Sequence, residues 1–285
     1  MDDHPPAIHC QQLDFVYPNG VQALSSVNLV IEPGEYIAFV GQNGSGKTSL
    51  VKHFNGLLKP TRGSVRIFGE DSSDKKVSYL SRKVGYVFQN PDDMLFCTSV
   101  QEEIAYGPRL LGMDHTEINQ KVEHILLELG LDEHRETHPF ALSLGDRQRL
   151  AVACALSLDP DVFVFDEPTT GQDYFGGKSI MNLIDQLHAK DKTIVIITHD
   201  MPLVAEHAHR VVVMSGGQIA MDGSPAQVFS QPEKLHQLSL RSPQVTQLAY
   251  EMGFTEQAIL GVPEMVEWLS RSYLSADTTN PGSQP

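Results

Sequence analysis

The chain has 285 residues, 41% of them hydrophobic, which is enough to bury a sizeable core as one large domain with a small appendage. Its formal net charge of −15 at pH 7, with no long basic run, argues against a nucleic-acid-binding surface. Three scattered cysteines, Cys10, Cys97 and Cys154, argue against structural disulfides and fit a cytosolic protein, while the absence of any apolar run near the roughly 18 residues of a membrane span, and an acidic start at Met1-Asp2-Asp3, leave membrane contact to a partner.

In chain order, strand patterns fall at Leu13 to Tyr17 and Ser26 to Ile31, punctuated by turns at Pro18-Asn19-Gly20 and Pro33-Gly34. Tyr36 to Val40 is a short β-prone run, and Thr48 to Phe54 continues without a helix breaker. Between them Gly41-Gln42-Asn43-Gly44-Ser45-Gly46-Lys47-Thr48 matches the phosphate-binding pattern G-x-x-x-x-G-K-[ST]. Glycines let backbone amides close around a phosphate, the helix N-terminus adds partial positive charge, and Gly41 through Ser49 are assigned to nucleotide binding. Lys47 is placed to reach β and γ phosphates, and the Thr48 hydroxyl to ligate Mg²⁺. The loop therefore predicts nucleoside triphosphate binding, but leaves open which machine it powers.

Val65 to Phe68 and Val84 to Phe88 read as further strands, the second ending at Gln89, whose amide oxygen suits Mg²⁺. From Thr98 to Leu158 the period becomes helical: Ser99 and Glu102 have capping-box spacing, and Ile118, Val122, Ile125 and Leu129 form one stripe. This segment is a helical insertion. Val162 to Phe165 is a buried-type strand ending in Asp166-Glu167, and alternation along a strand points the two carboxylates apart. Asp166 is assigned to Mg²⁺, and Glu167 to orienting the attacking water. After a helix near Ser179 to Leu187, Thr193 to Ile197 ends at His199, placed to sense the γ-phosphate; Arg210 to Met214 is a last strand. Strands alternating with helices imply a parallel α/β core.

Beyond Pro225, Val245, Leu248, Ala249 and Met252 form one helical stripe, and Val266 and Leu269 another. Met265 and Trp268 read as packing residues, and Ala276 to Pro285 as a disordered tail. His134 with His138, and His207 with His209, lack companion ligands and read as ordinary solvated histidines.

Taken together and in this order, the motifs resemble the ATP-binding cassette (ABC) ATPases from about residue 7 to 225. The resemblance implies an α/β P-loop fold with a RecA-like core, an antiparallel β subdomain and a helical subdomain at about 98–160. It implies roles for Tyr17 as the aromatic stacking on adenine, Gln89 as the Q-loop, Asp166 and Glu167 as the Walker B pair, Asp173 as the D-loop aspartate and His199 as the switch histidine. The signature, usually L-S-G-G-Q, reads Leu142-Ser143-Leu144-Gly145-Asp146. Ser143 and Gly145, which in the family face the γ-phosphate of the opposite subunit, are retained. Leu144 would be costly if its backbone needed positive φ; Ser143 and Asp146 have capping spacing, so Asp146 stabilises the start of the following helix while bringing an acid beside a phosphate.

Gln89-Asn90-Pro91-Asp92-Asp93-Met94-Leu95-Phe96 and Ile104 to Gly112 are similar to segments of energy-coupling factor (ECF) transporter ATPases, which include the cobalt and nickel group. That resemblance implies an ATPase domain over 1–225 and a dimerising extension over 226–275. It implies ATP and Mg²⁺ as cofactors, a second ATPase subunit and integral membrane partners, and a peripheral place on the cytoplasmic side of the cell membrane, driving uptake of a metal ion or vitamin. A soluble ABC ATPase of DNA repair or translation is the alternative; long coiled coils or a second cassette would mark it, and the acidity opposes it.

Overall fold

The computed structural model describes residues 5–254 and 257–277. In the N-terminal part lie β1 (Ile8–Val16), β2 (Gln22–Ile31), β3 (Tyr36–Val40), α1 (Lys47–Val51), β4 (Arg62–Ile67), β5 (Glu70–Asp71), α2 (Val77–Leu80) and β6 (Val84–Val87). Three helices follow, α3 (Val100–Leu110), α4 (His115–Glu128) and α5 (Leu144–Ser157). Then come β7 (Val162–Asp166), α6 (Tyr174–His188), β8 (Thr193–Ile197), α7 (Met201–His207), β9 (Arg210–Ser215) and β10 (Gln218–Gly223). The C-terminal part holds α8 (Pro225–Phe229), α9 (Pro232–Gln237), α10 (Gln244–Glu251) and α11 (Val262–Asp277).

One sheet is antiparallel, in the order β2-β1-β4-β5; the other runs β10-β9-β3-β8-β7-β6, with β9, β3, β8, β7 and β6 parallel. β3, β7 and β8 are buried along their whole length, as parallel strands covered on both faces must be. Side chains alternate between two cores: Ile37 and Phe39 pack with Leu50, Phe54 and Leu13, while Ala38 and Val40 pack with Ile104, Leu126 and Leu150 of the helical layer. Emptying a position such as Phe39 would cost about 3–5 kcal/mol.

This parallel order fixes where chemistry collects. The C-terminal ends of β3, β6, β7 and β8 lie side by side, delivering the phosphate loop, Gln89, Asp166-Glu167 and His199 to one edge.

Several sequence expectations need correction. The first strand begins at Ile8, not Leu13, and the second at Gln22, not Ser26. Register shifts interrupt β1, and Gln12 and Ser26 adopt left-handed φ of 46° and 49°, so bulges break the alternation on which the reading relied. β10 was not foreseen, although the Gly216-Gly217 turn before it, with φ of 55° and 76°, is a hairpin signal.

The predicted stripe on α4 is buried at Ile118, Val122 and Ile125, with Leu129 at its C-cap. Ser99 does cap α3 by accepting from the Glu102 amide; the Glu102 carboxylate instead pairs with Arg109 at 2.9 Å. In the C-terminal part, Leu248, Met252 and Val266 are exposed, and the packed faces centre on Thr246 and Ala249 of α10 and on Met265, Trp268 and Leu269 of α11. Overlapping apolar stripes on a short helix do not reveal which one is covered. α11 runs to Asp277, so Ala276 and Asp277 belong to a helix; the rest of the expected tail, 278–285, lies outside the described residues.

Candidate functional site

The loop after β3 turns through Gly41 at φ 151° and Gly46 at φ 104°. A Cβ on Gly41 would meet the Met214 carbonyl oxygen at 2.3 Å, and one on Gly46 the Ala23 carbonyl oxygen at 2.7 Å, so both positions need glycine for space as well as for φ. Lys47 opens α1 and folds back: its Nζ donates to the Gly41 carbonyl at 2.7 Å, the Gln42 carbonyl at 2.9 Å and Ser45 Oγ at 3.4 Å. Burial pushes the ammonium pKa down, against the pull of Glu167 and Asp166.

The Asp166 carboxylate at the end of β7 is buried and made harder to ionise by that burial, despite hydrogen bonds from Tyr86 and Thr48. Thr48 Oγ1 donates to its Oδ2 at 3.2 Å and the Tyr86 hydroxyl donates to the same oxygen at 2.8 Å. Glu167 diverges from it for a reason other than strand alternation. Its φ is 51°, left-handed for a residue with a Cβ, so the chain leaves the strand there; its amide donates to the Ile197 carbonyl at 2.8 Å and its carboxylate lies 2.9 Å from His199 Nδ1. Backbone strain of this kind costs about 1–3 kcal/mol and persists only where neighbours hold it.

Tyr17, Asn43, Gly44, Gly46, Lys47, Thr48, Ser49, Gln89, Asp166 and Glu167 line one cavity of about 290 Å³. Tyr17 shares a 2.9 Å hydroxyl contact with Ser49 and sits edge-on to Phe15 at 4.8 Å, which fixes its ring at the cavity wall.

Gly41, Gln42, Ser45 and His199 do not line that cavity but contact residues that do, the first three through Lys47 and His199 through Glu167; Ser143, Gly145 and Asp173 are not among its residues either. Ser143 caps α5 by accepting from the Asp146 amide at 3.2 Å, while its hydroxyl donates to Asp146 Oδ2 at 2.7 Å. Arg149 pairs with Asp146, so the signature acid already has a cation. Leu144 is the first residue of α5 and is not left-handed, so the backbone strain it threatened does not arise. Its side chain packs on Gly171, where a Cβ would come within 2.7 Å of it, and Gly145 faces Gln172, whose Oε1 a Cβ would meet at 3.1 Å. Asp173 caps α6, accepting from the Gly176 amide at 2.7 Å.

Beside the cavity, an apolar groove of about 250 Å³ is lined by Phe88, Met94, Phe96, Tyr106, Cys154 and Leu158 among others. Phe96 is 61% exposed and meets Tyr106 edge-on at 4.7 Å, so the two segments from Gln89 and from Ile104 converge on one groove. Buried Glu103 on α3 accepts from the amides of Phe96 at 2.8 Å and Cys97 at 2.7 Å, and Asp92 pairs with Arg147 on α5 at 3.0 Å. Sequence reasoning missed Tyr86, Glu103 and Arg149, because strand register and helix packing set their partners.

Fold and site define a P-loop ATPase in which the phosphate loop, the acid pair and a histidine meet at the edge of a parallel sheet. The model of the ABC transporter family matches residues 24–170, and the chain belongs to that family. It is 46% identical over 264 residues to an ABC transporter ATP-binding protein of Caldanaerobacter subterraneus subsp. tengcongensis, covering 93% of this chain and 46% of that protein. The chain thus spans less than half the length of that relative. It is 41% identical to the energy-coupling factor transporter ATP-binding protein EcfA of Methanocaldococcus jannaschii, over 85% of this chain and 87% of the relative. The solved structure of cbiO1 from Clostridium perfringens, described as part of the ABC transporter complex cbiONQ, matches with a TM-score of 0.72 at 32% identity, covering 86% of this chain and 99% of that one. Among the described residues, no helix is long and apolar enough to cross a membrane.

Proposed function

We propose that the chain is the ATP-binding subunit of an ECF-type importer, peripheral on the cytoplasmic face of the membrane, hydrolysing ATP to drive uptake of a metal ion or vitamin through membrane partners. The observation that carries this reading is the exposed groove at Phe96 and Tyr106, tied by Glu103 and Asp92 to helices of the cassette and placed next to the nucleotide cavity. Its likeness to EcfA and cbiO1 supports the ECF assignment.

In this mechanism the loop amides and Lys47 bind the phosphates of ATP, giving up Lys47's bonds to Gly41 and Gln42, and Tyr17 stacks on adenine. The donor set fits Mg²⁺: the Thr48 hydroxyl and Asp166 carboxylate lie within one hydrogen bond, and the Gln89 amide lines the same cavity, all hard oxygen donors. When bound, the ion neutralises charge on the β and γ phosphates. Glu167 takes a proton from the attacking water, and His199 holds the Glu167 carboxylate in place. Ser143 and Gly145 lie at the start of α5 and do not line the chain's own cavity, and the reading has two cassettes pairing head to tail, each completing the other's site, with the 226–275 segment helping to hold them together.

Co-expression with integral membrane candidates and purification in detergent tests the docking half. Phe96→Asp should release the chain from the complex while leaving its own nucleotide affinity unchanged; a complex that survives the substitution sinks that half. In vesicles carrying the complex, ATP supplied on the cassette side should draw cargo toward that side, and export would overturn the importer reading.

A further inference from the structure

Tyr86 touches both halves of this machine. It lies on β6 opposite Val164 of β7, two residues short of Asp166, so the phenol and the Asp166 carboxylate extend on the same face of neighbouring strands. Its hydroxyl donates to Asp166 Oδ2 at 2.8 Å in a buried contact. Its ring meets Phe88 edge-on at 4.7 Å, and both rings form part of the wall of the apolar groove.

An aspartate carboxylate turns about a broad, two-fold torsion, so its plane is set by whatever hydrogen bonds it accepts. Thr48 is a poor anchor for that purpose, because in the proposed mechanism its oxygen is also a cation ligand. Tyr86 is the anchor with no competing duty. With Tyr86 and Thr48 both on Oδ2, Oδ1 is the oxygen left for the cavity. Partners of this kind, which hold a metal ligand without touching the metal, change metal affinity by about 10- to 100-fold when removed.

We propose that Tyr86 is a positioning residue that aims the Asp166 carboxylate and, through its ring against Phe88, makes that aim depend on the packing of the docking groove. This rests on the reading of Asp166 as the carboxylate that holds the divalent cation. A segment seated in the groove presses on Phe88 and Tyr86, and the hydroxyl carries the displacement to Asp166.

The test is Mn²⁺ titration, followed by electron paramagnetic resonance, of the full chain saturated with a non-hydrolysable ATP analogue. Tyr86→Phe keeps the ring and should weaken Mn²⁺ binding about 10- to 100-fold, with analogue affinity measured in EDTA unchanged. Phe88→Leu should weaken it less, and should add nothing once Tyr86→Phe is present, since its effect travels through the missing hydroxyl. Mn²⁺ affinity of Tyr86→Phe equal to wild type overturns the positioning role, and a Phe88→Leu effect that adds in full overturns the link to the groove. Asp166→Asn separates the two levels: an unchanged Mn²⁺ affinity there refutes the reading of Asp166 itself, whereas a large loss in Asp166→Asn without one in Tyr86→Phe refutes the inference alone.

Discussion

His199 Nδ1 stands 2.9 Å from Glu167 Oε1, joining the residues that follow two neighbouring strands, with the imidazole 77% exposed and the carboxylate 12%. The histidine is therefore a cover over the acid. In the proposed mechanism Glu167→Gln removes the base but keeps the shape, and should lower ATP turnover by about 10²- to 10⁴-fold while trapping an ATP-bound dimer. Steady-state phosphate release and size-exclusion chromatography with ATP check both parts; near-native turnover would remove Glu167 from its role.

Tyr17 separates stacking from positioning. Tyr17→Ala should weaken ATP binding by about 1–3 kcal/mol, the contribution of one aromatic stack on a base. Tyr17→Phe loses only the 2.9 Å contact with Ser49 and should bind nearly as wild type in calorimetry. Equal losses in the two variants would mean the hydroxyl, and not the ring face, is what matters.

The altered signature makes an opposite kind of prediction. Ser143 spends its proton on Asp146, and Arg149 neutralises that acid. Asp146→Gln should free the serine hydroxyl for the partner's ATP and raise turnover several-fold, with a small loss of helix stability from the weaker charge at the start of α5, about 0.3–1 kcal/mol. A fall in turnover would show that the acid is needed where it is.

Glu70 offers a pH test away from the site. Lys75, then Lys83 and Tyr79, bind its carboxylate and hold its pKa at about 2, against an ordinary 4.5. A depressed acid stabilises the fold above its unfolded value and loses that contribution as pH falls through the folded one. Urea midpoints of wild type and Glu70→Gln should therefore differ most above pH 4.5 and converge toward pH 2. A gap that stays constant across this window would assign the effect to packing.

Much of this site was legible because its motifs are local. Gly41 to Thr48, Asp166-Glu167 and His199 each sit at the end of an apolar run, and parallel strand order brings such ends together. What stayed hidden depends on register and rotation. Tyr86 reaches Asp166 only because β6 and β7 pair Tyr86 with Val164, which residue type alone does not reveal. Leu144 looked strained as a substitution for glycine, yet helix α5 begins on it and its backbone is ordinary. Leu248 and Val266 looked like core and are exposed, since the covered helix face is chosen by the neighbour.

Buried Glu103 carries a last consequence. One carboxylate oxygen clasps two successive amides, Phe96 and Cys97, and a buried charge so held is costly to pull free. The strip of chain bearing Phe96 is thereby held to α3, and nearer its start Asp92, 39% exposed, pairs with Arg147 of α5 at 3.0 Å. Whatever grips Phe96 therefore pulls on a segment held at both ends by helices of one layer, α3 through Glu103 and α5 through Arg147, and α5 is the helix that Ser143 caps.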